Sequence, residues 1–291
     1  EACLVGSEMC IRDRYMPELP EVQTVVNGIK SKLIGLKIKD TEVFVKKLRY
    51  PVPINLKNKI NKSSLLDVER RAKYIILRLS NDYSLIIHLG MSGRIIIGKK
   101  KELKSIKHTH FQLYFSNDLV LQFIDPRRFG CILLRETSKL LEEKLLKHLG
   151  VEPLGKSFNQ NYLHEIASNK ASSIKSIIMN QKYIVGVGNI YASEALYLSK
   201  ISPFKIGNKL TISESDRLVR SIKRVLKKSI QMGGSSINDH TMISGKLGHY
   251  QNKLQVYGRD GQKCRNKSCQ LPIIRIVIAQ RSTFYCSSCQ K

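Results

Sequence analysis

The chain has 291 residues and a net charge of +27, from 50 Lys and Arg against 23 Asp and Glu. A surplus that large calls for a polyanionic partner, and nucleic acid is the most direct candidate. With 42% hydrophobic residues the chain is no disordered basic tail, and it has no apolar run near the roughly 20 residues that span a bilayer.

Residues 1–15 (EACLVGSEMCIRDRY) match no targeting class, because their short apolar segment is broken by Gly6, Ser7 and Glu8. They read as an extension foreign to the fold, with Met16 as the natural start. From Pro20 the apolar positions Val22, Val25, Val26, Ile29 and Leu33 recur at helical spacing. Six β-rich runs follow at 74–79, 84–89, 94–97, 111–115, 119–124 and 131–134. Turn residues at Ser80-Asn81-Asp82 and Asn117-Asp118 separate some of them. Such close spacing predicts an antiparallel sandwich or barrel. Helical periodicity returns in KLLEEKLLKHL (139–149), in 160–200 and in 213–231, where Ser213 and Asp216 form a capping-box pattern. The tail from about 254 is again strand-like, through IIRIVIA (273–279) and RSTFYC (281–286).

Four of the seven cysteines lie in that tail, as Cys264-(4)-Cys269-(16)-Cys286-(2)-Cys289. Two pairs bracketing a hairpin suit tetrahedral zinc, and four thiolates leave no open position for water. One structural Zn2+ is therefore predicted. Cys131 reads as packing and the lysine-rich stretch 99–107 as a basic loop.

At Met16 the sequence reads MPELPE. Removal of a Met before a small proline leaves a secondary amine at the terminus. Such an α-amino group has a pKa near 7.7–8.0, so a useful share is neutral and nucleophilic at pH 7. Glu18 lies beside it, near a helix start whose dipole favours a carboxylate. On the residues alone, a proline-rich helix start with a capping glutamate is the favoured alternative. Lys73 alone reads as a strand-edge charge, and Met91 and Phe129 read as readily as core side chains.

A wider pattern reweights these positions. MPELPEV (16–22), RRAKY (70–74), HLGMSG (88–93), DPRRFG (125–130), the region around Lys170, VGVGNIYASEAL (185–196), LQVYGR (254–259) and AQRSTFYCSSCQK (279–291) occur in this order. Together they resemble the formamidopyrimidine-DNA glycosylases, which are bacterial repair enzymes for 8-oxoguanine. The related endonuclease VIII type typically opens MPEGPE, so Leu19 favours the formamidopyrimidine branch.

The resemblance implies an α+β fold. Its parts are a helix-flanked antiparallel β-sandwich (16–138), a helix-two-turn-helix domain (139–253) with a lesion loop at 233–253, and a β-hairpin zinc finger (254–291). It implies a glycosylase and AP lyase of base-excision repair, with Pro17 as Schiff-base nucleophile and Glu18 as proton donor and acceptor. Lys73 assists acid–base chemistry, and Arg281 grips the phosphate beside the lesion and assists the last elimination. Met91 and Phe129 would enter the stack, Arg127 would meet the orphaned base, and His108, Lys170 and Asn189 would contact the DNA. The partner implied is damaged double-stranded DNA, bound by a monomer in the bacterial cytoplasm at the nucleoid, with no membrane. The rival readings are an endonuclease VIII-like enzyme for oxidised pyrimidines and a non-catalytic zinc-containing nucleic-acid-binding protein.

Overall fold

The computed structural model describes residues 16–103, 106–235 and 249–291. The extension at 1–15 and most of the lesion loop at 233–253 lie outside the described residues. The described residues divide into two compact units, one of 16–148 with 233–235, the other of 149–232 with 249–291.

The first unit begins with α1 (Leu19–Leu33), whose Val22, Val26, Ile29 and Leu33 form one buried stripe. Glu18 and Glu21 close a reciprocal capping box at its start, with the Glu18 N–H donating to Glu21 Oε2 at 2.9 Å. A short helix α2 (Leu56–Ile60) and eight strands follow: β1 (Ile38–Val43), β2 (Leu65–Arg71), β3 (Tyr74–Leu79), β4 (Tyr83–His88), β5 (Arg94–Lys99), β6 (Thr109–Phe115), β7 (Leu119–Ile124) and β8 (Cys131–Glu136). They form two four-stranded sheets, β1-β6-β7-β5 and β2-β3-β4-β8. Every strand pairing is antiparallel. Strand periodicity of two sends Phe111, Leu113 and Phe115 inward while Gln112 and Tyr114 alternate with them. The core joins these to Leu121 and Phe123 of the same sheet and to Ile75, Leu77, Leu85, Ile87, Ile132 and Leu134 of the other. The sandwich alternative of the sequence reading is the one observed.

Two sequence expectations need correction here. Strands β1 and β2 fell outside the six predicted runs, because IKDTEV and LLDVERR carry charges on their outward positions and lack a long apolar run. The periodicity at 139–149 does not give one helix. It gives a 3-10 turn (Thr137–Glu142) and then α3 (Lys144–Lys147). The break falls at Glu143, whose backbone is extended and whose buried carboxylate pairs with Arg135 of β8.

The second unit holds α4 (Gln160–Ser168), α5 (Ile174–Met179), α6 (Asn189–Leu198), α7 (Ile212–Gln231) and the hairpin β9 (Ile274–Ile278)–β10 (Arg281–Tyr285). Helix α7 buries Leu218, Val219, Ile222, Val225 and Leu226 and leaves Arg217, Arg220, Arg224, Lys227 and Lys228 exposed. Its cap is Thr211 with Glu214, not Ser213 with Asp216. The Thr211 hydroxyl accepts the Glu214 N–H at 3.2 Å, and Glu214 Oε2 accepts the Thr211 N–H at 3.0 Å. Ser213 and Asp216 lie inside the helix, where Asp216 pairs with Arg220 one turn on. Between 254 and 273 the expected strand character is absent. The chain there is turns and isolated bridges. Among the described residues, no helix is long and apolar enough to cross a membrane.

Candidate functional site

In the first unit, Pro17 and Glu18 are buried immediately before α1. Lys73 lies in the two-residue turn between β2 and β3, where Ala72 adopts φ +54. That turn carries the Lys73 ammonium to 3.9 Å from Met16 Sδ, so the amine reaches the segment holding Pro17 and Glu18. Glu21 adds a link that the sequence did not expose: its Oε1 accepts the main-chain N–H and the hydroxyl of Ser235, at 2.8 and 2.9 Å. The helix start is thereby tied to the first residues of the predicted lesion loop.

Met91 and the pair Arg127 and Phe129 occupy two turns of this same unit. Met91 is half-buried, whereas Arg127 and Phe129 are exposed, with the Arg127 guanidinium 5.0 Å from the Phe129 ring centre. His108 is also exposed and has φ +69. Next to the Met91 turn, His88 Nδ1 accepts the Gly90 N–H at 2.9 Å, which assigns the neutral ring proton to Nε2. Burial, reinforced by the Lys73 and Arg49 charges, lowers the His88 pKa to about 4. The Tyr74 ring lies 4.8 Å from the His88 ring. Burial raises the Tyr74 hydroxyl to about 12 and the Cys131 thiol to about 11. Both are neutral at pH 7, in keeping with the packing role expected for Cys131.

In the second unit, Arg281 opens β10 and is exposed at the tip of the hairpin. The connecting residues Ala279 and Gln280 both have positive φ, +47 and +60, as a two-residue type I′ turn requires. Two buried side chains hold the main chain beside Arg281. Lys175 Nζ donates to the Ser282 carbonyl at 3.2 Å and to Thr283 Oγ1 at 2.6 Å. Asn189 Nδ2 donates to the same carbonyl at 2.8 Å. Asn189 is the first residue of α6, so VGVGN ends where a helix N-terminus begins. Lys170 lies between α4 and α5 with its ammonium 5.6 Å from the Tyr183 ring centre. Glu194 is 2% exposed, and its carboxylate accepts the N–H groups of Gln255, Val256 and Tyr257 at 2.8–2.9 Å. One acidic residue thus fixes the start of LQVYGR. Burial raises its pKa, and the three backbone donors oppose that rise.

The Sγ atoms of Cys264, Cys269, Cys286 and Cys289 all lie within 4.8 Å of one another. Cys264–Cys289 is 3.9 Å and Cys269–Cys286 is 3.6 Å. Tetrahedral zinc with Zn–S of about 2.3 Å requires sulfur separations of about 3.8 Å, so the cluster fits that ion. Tyr197 Oη at 3.1 Å from Cys264 Sγ and Asn266 Nδ2 at 3.3 Å from Cys289 Sγ supply hydrogen-bonding neighbours for the sulfurs.

Comparison with known proteins agrees with this arrangement. The family model of the formamidopyrimidine-DNA glycosylase N-terminal domain matches residues 16–132, and that of the H2TH domain of the same enzymes matches residues 149–241. The chain belongs to the formamidopyrimidine-DNA glycosylase family. It is 46% identical over 275 residues to the formamidopyrimidine-DNA glycosylase of Rickettsia conorii, covering 94% of this chain and 99% of that one. It is 45% identical to the Escherichia coli enzyme over 276 residues, covering 95% and 100%. Wild-type Lactococcus lactis Fpg solved with N7-benzyl-Fapy-dG containing DNA superposes with a TM-score of 0.86 at 35% identity, over 94% of this chain and 100% of that one. The Lactococcus lactis complex with abasic-site DNA gives the same score and identity, over 94% and 99%.

The sequence singles out residues for the chemistry, whereas the residues that hold their segments in place emerge only in the fold. Glu21, Glu194 and Asp125 lie inside the motifs MPELPEV, VGVGNIYASEAL and DPRRFG without a role that the sequence assigns to them, and Lys175 stands as a lone charge in IKSIIM. A lysine or glutamate set among apolar helix positions, as in IKSIIM and NIYASEALYL, is a further hint in the sequence.

Proposed function

We propose that this protein is a base-excision-repair DNA glycosylase that removes oxidised purines, 8-oxoguanine and formamidopyrimidines, from duplex DNA and then cleaves the strand as an AP lyase. The observation that carries this reading is family membership over nearly the whole chain, beginning at the MPELPE segment, together with the burial of Pro17 and Glu18 beside the Lys73 turn.

With its amine free, Pro17 attacks C1′ of the damaged nucleotide. The C1′–N bond to the base breaks, and the base departs with a proton. The sugar ring then opens to an iminium ion, with Glu18 giving and taking the proton at the sugar oxygen. Loss of a C2′ proton expels the 3′ phosphate, and a second elimination expels the 5′ phosphate, leaving a one-nucleotide gap. Lys73 assists the proton transfers and Arg281 the last elimination. A base inside the stack is out of reach, so it must be turned out and the gap filled. Met91 and Phe129 serve as apolar wedges and Arg127 as the partner of the orphaned base. His108, Lys170 and Asn189 hold the strand at its phosphates, and the exposed cations of α7 add to the attraction. Zn2+ held by Cys264, Cys269, Cys286 and Cys289 supplies structure, cross-linking the hairpin that bears Arg281. The enzyme acts as a monomer on chromosomal DNA, in the cytoplasm.

Excision of 8-oxoguanine opposite cytosine, measured against thymine glycol opposite adenine, tests the assignment. Faster release of 8-oxoguanine is expected. Faster release of thymine glycol would instead assign the protein an endonuclease VIII-like specificity.

A further inference from the structure

The turns bearing Met91, Arg127 and Phe129 come from two separate connections between the sheets, β4 to β5 and β7 to β8, yet they are fastened to each other through one buried carboxylate. Asp125 is fully buried. Its Oδ1 accepts the Ser92 hydroxyl at 2.6 Å, and its Oδ2 accepts the Gly130 N–H at 2.7 Å. The Ser92 oxygen in turn accepts the Arg127 N–H at 3.2 Å. Asp125 is anchored through its own main chain as well, its N–H donating to the His108 carbonyl at 3.1 Å and its carbonyl lying 2.8 Å from His110 Nε2.

Steric constraints fix the same register. Gly90 has φ +65, and a Cβ there would lie 2.5 Å from Gly130 N and from the Phe129 carbonyl carbon. A Cβ on Gly130 would lie 2.7 Å from the His88 carbonyl oxygen. The two turns therefore meet backbone to backbone, and Ser92 and Asp125 bolt them at the side.

We propose that Ser92 and Asp125 are positioning residues that lock the Met91 turn and the Arg127–Phe129 turn into one block, so that the side chains filling the duplex enter it together. This rests on the function proposed above. Neither residue touches the reacting atoms. A buried carboxylate that satisfies a hydroxyl and a main-chain N–H on two different turns couples their positions, because moving either turn alone strands a buried polar group.

The test uses the whole chain and a duplex carrying a tetrahydrofuran abasic analogue beside 2-aminopurine, whose fluorescence rises as the stack opens. No covalent chemistry is needed. Ser92→Ala should slow stack opening by about tenfold while affinity for undamaged duplex stays the same. Ser92→Thr, which keeps the hydroxyl, should restore the rate. Asp125→Asn provides an independent variant, since Ser92 and Gly130 donate to different carboxylate oxygens and the amide NH2 would put a donor in place of one of those acceptors, and it should slow opening as well. Thermal midpoints recorded alongside separate this from a general loss of fold, which would weaken binding to undamaged duplex too. Wild-type rates in both Ser92→Ala and Asp125→Asn would overturn the proposal. A wild-type chain that never opens the lesion duplex would overturn the function reading itself, and this one with it.

Discussion

Lys175 Nζ lies 3.2 Å from the carbonyl oxygen of Ser282, the residue that follows Arg281. The lysine is 1% exposed, so its ammonium is solvated by protein in place of water, through this carbonyl and through Thr283 Oγ1 at 2.6 Å. Removing a buried charged donor leaves its acceptors short of a partner, at a cost of about 1–3 kcal/mol. Lys175→Met, close in length and apolar, should therefore lower stability by that amount in urea unfolding. It should also weaken duplex binding, because the main chain beside Arg281 loses a side-chain anchor. A loss below about 0.5 kcal/mol would mean that Lys175 does not hold the strand.

These anchors explain which parts of the protein were legible in its sequence. Strands β3 and β7 were read residue for residue, because YIILRL and LVLQFI are apolar enough to declare themselves. Strand β2 was invisible because Asp67, Glu69 and Arg70 interrupt it, and its partner β3 supplies the order that its own composition does not. The capping pattern expected at Ser213 and Asp216 lies one step into the helix that Thr211 caps. Glu214 reaches back to the Thr211 N–H and completes that capping box. The motif residues Pro17, Lys73 and Arg281 stood out through a family pattern. Lys175, which holds the main chain beside Arg281, did not, because it acts across 107 residues to Ser282. Ser92 and Asp125 lie within quoted motifs, but their pairing across 33 residues appears only in the fold.

His88 sets an acid limit on the Met91 turn. In the folded protein its pKa is held at about 4, whereas in the unfolded chain it titrates near 6.5. As pH falls from 6.5 to 4 the unfolded chain gains a proton that the folded one refuses. Stability drains across that window and levels off below it, by at most about 3 kcal/mol. Protonation also removes the lone pair on Nδ1 that accepts the Gly90 N–H. Urea unfolding at pH 7 and pH 4.5 should show a larger loss for wild type than for His88→Gln. Equal losses would assign the acid sensitivity to other groups.

The cysteine cluster should behave as a folding element. Four sulfurs already within 4.8 Å need little rearrangement to take the ion, so metal binding and hairpin folding are linked. Cys286→Ser should abolish stoichiometric zinc in elemental analysis and lose duplex binding with it, since Arg281 sits on that hairpin. A metal-free variant that binds duplex at full strength would separate the hairpin from recognition.

Pro17 decides whether a given form of the chain can react. With Met16 attached, its nitrogen is a tertiary amide whose lone pair is delocalised into the Met16 carbonyl, so it is neither basic nor nucleophilic. The 291-residue chain should fold, take zinc and bind damaged duplex, yet give no covalent adduct on borohydride reduction and little excision. A chain whose first residue is Pro17 should recover both. The competing nucleophile is Lys73, whose ammonium already reaches Met16 and which could open a preformed abasic sugar slowly. Abasic and 8-oxoguanine duplexes therefore belong in the same experiment. Trapping of the 291-residue chain on abasic DNA alone, abolished by Lys73→Ala, would assign a minor lyase route to the lysine. Excision of 8-oxoguanine by the 291-residue chain, intact by mass, as fast as by the chain starting at Pro17 would rule out the proline as nucleophile.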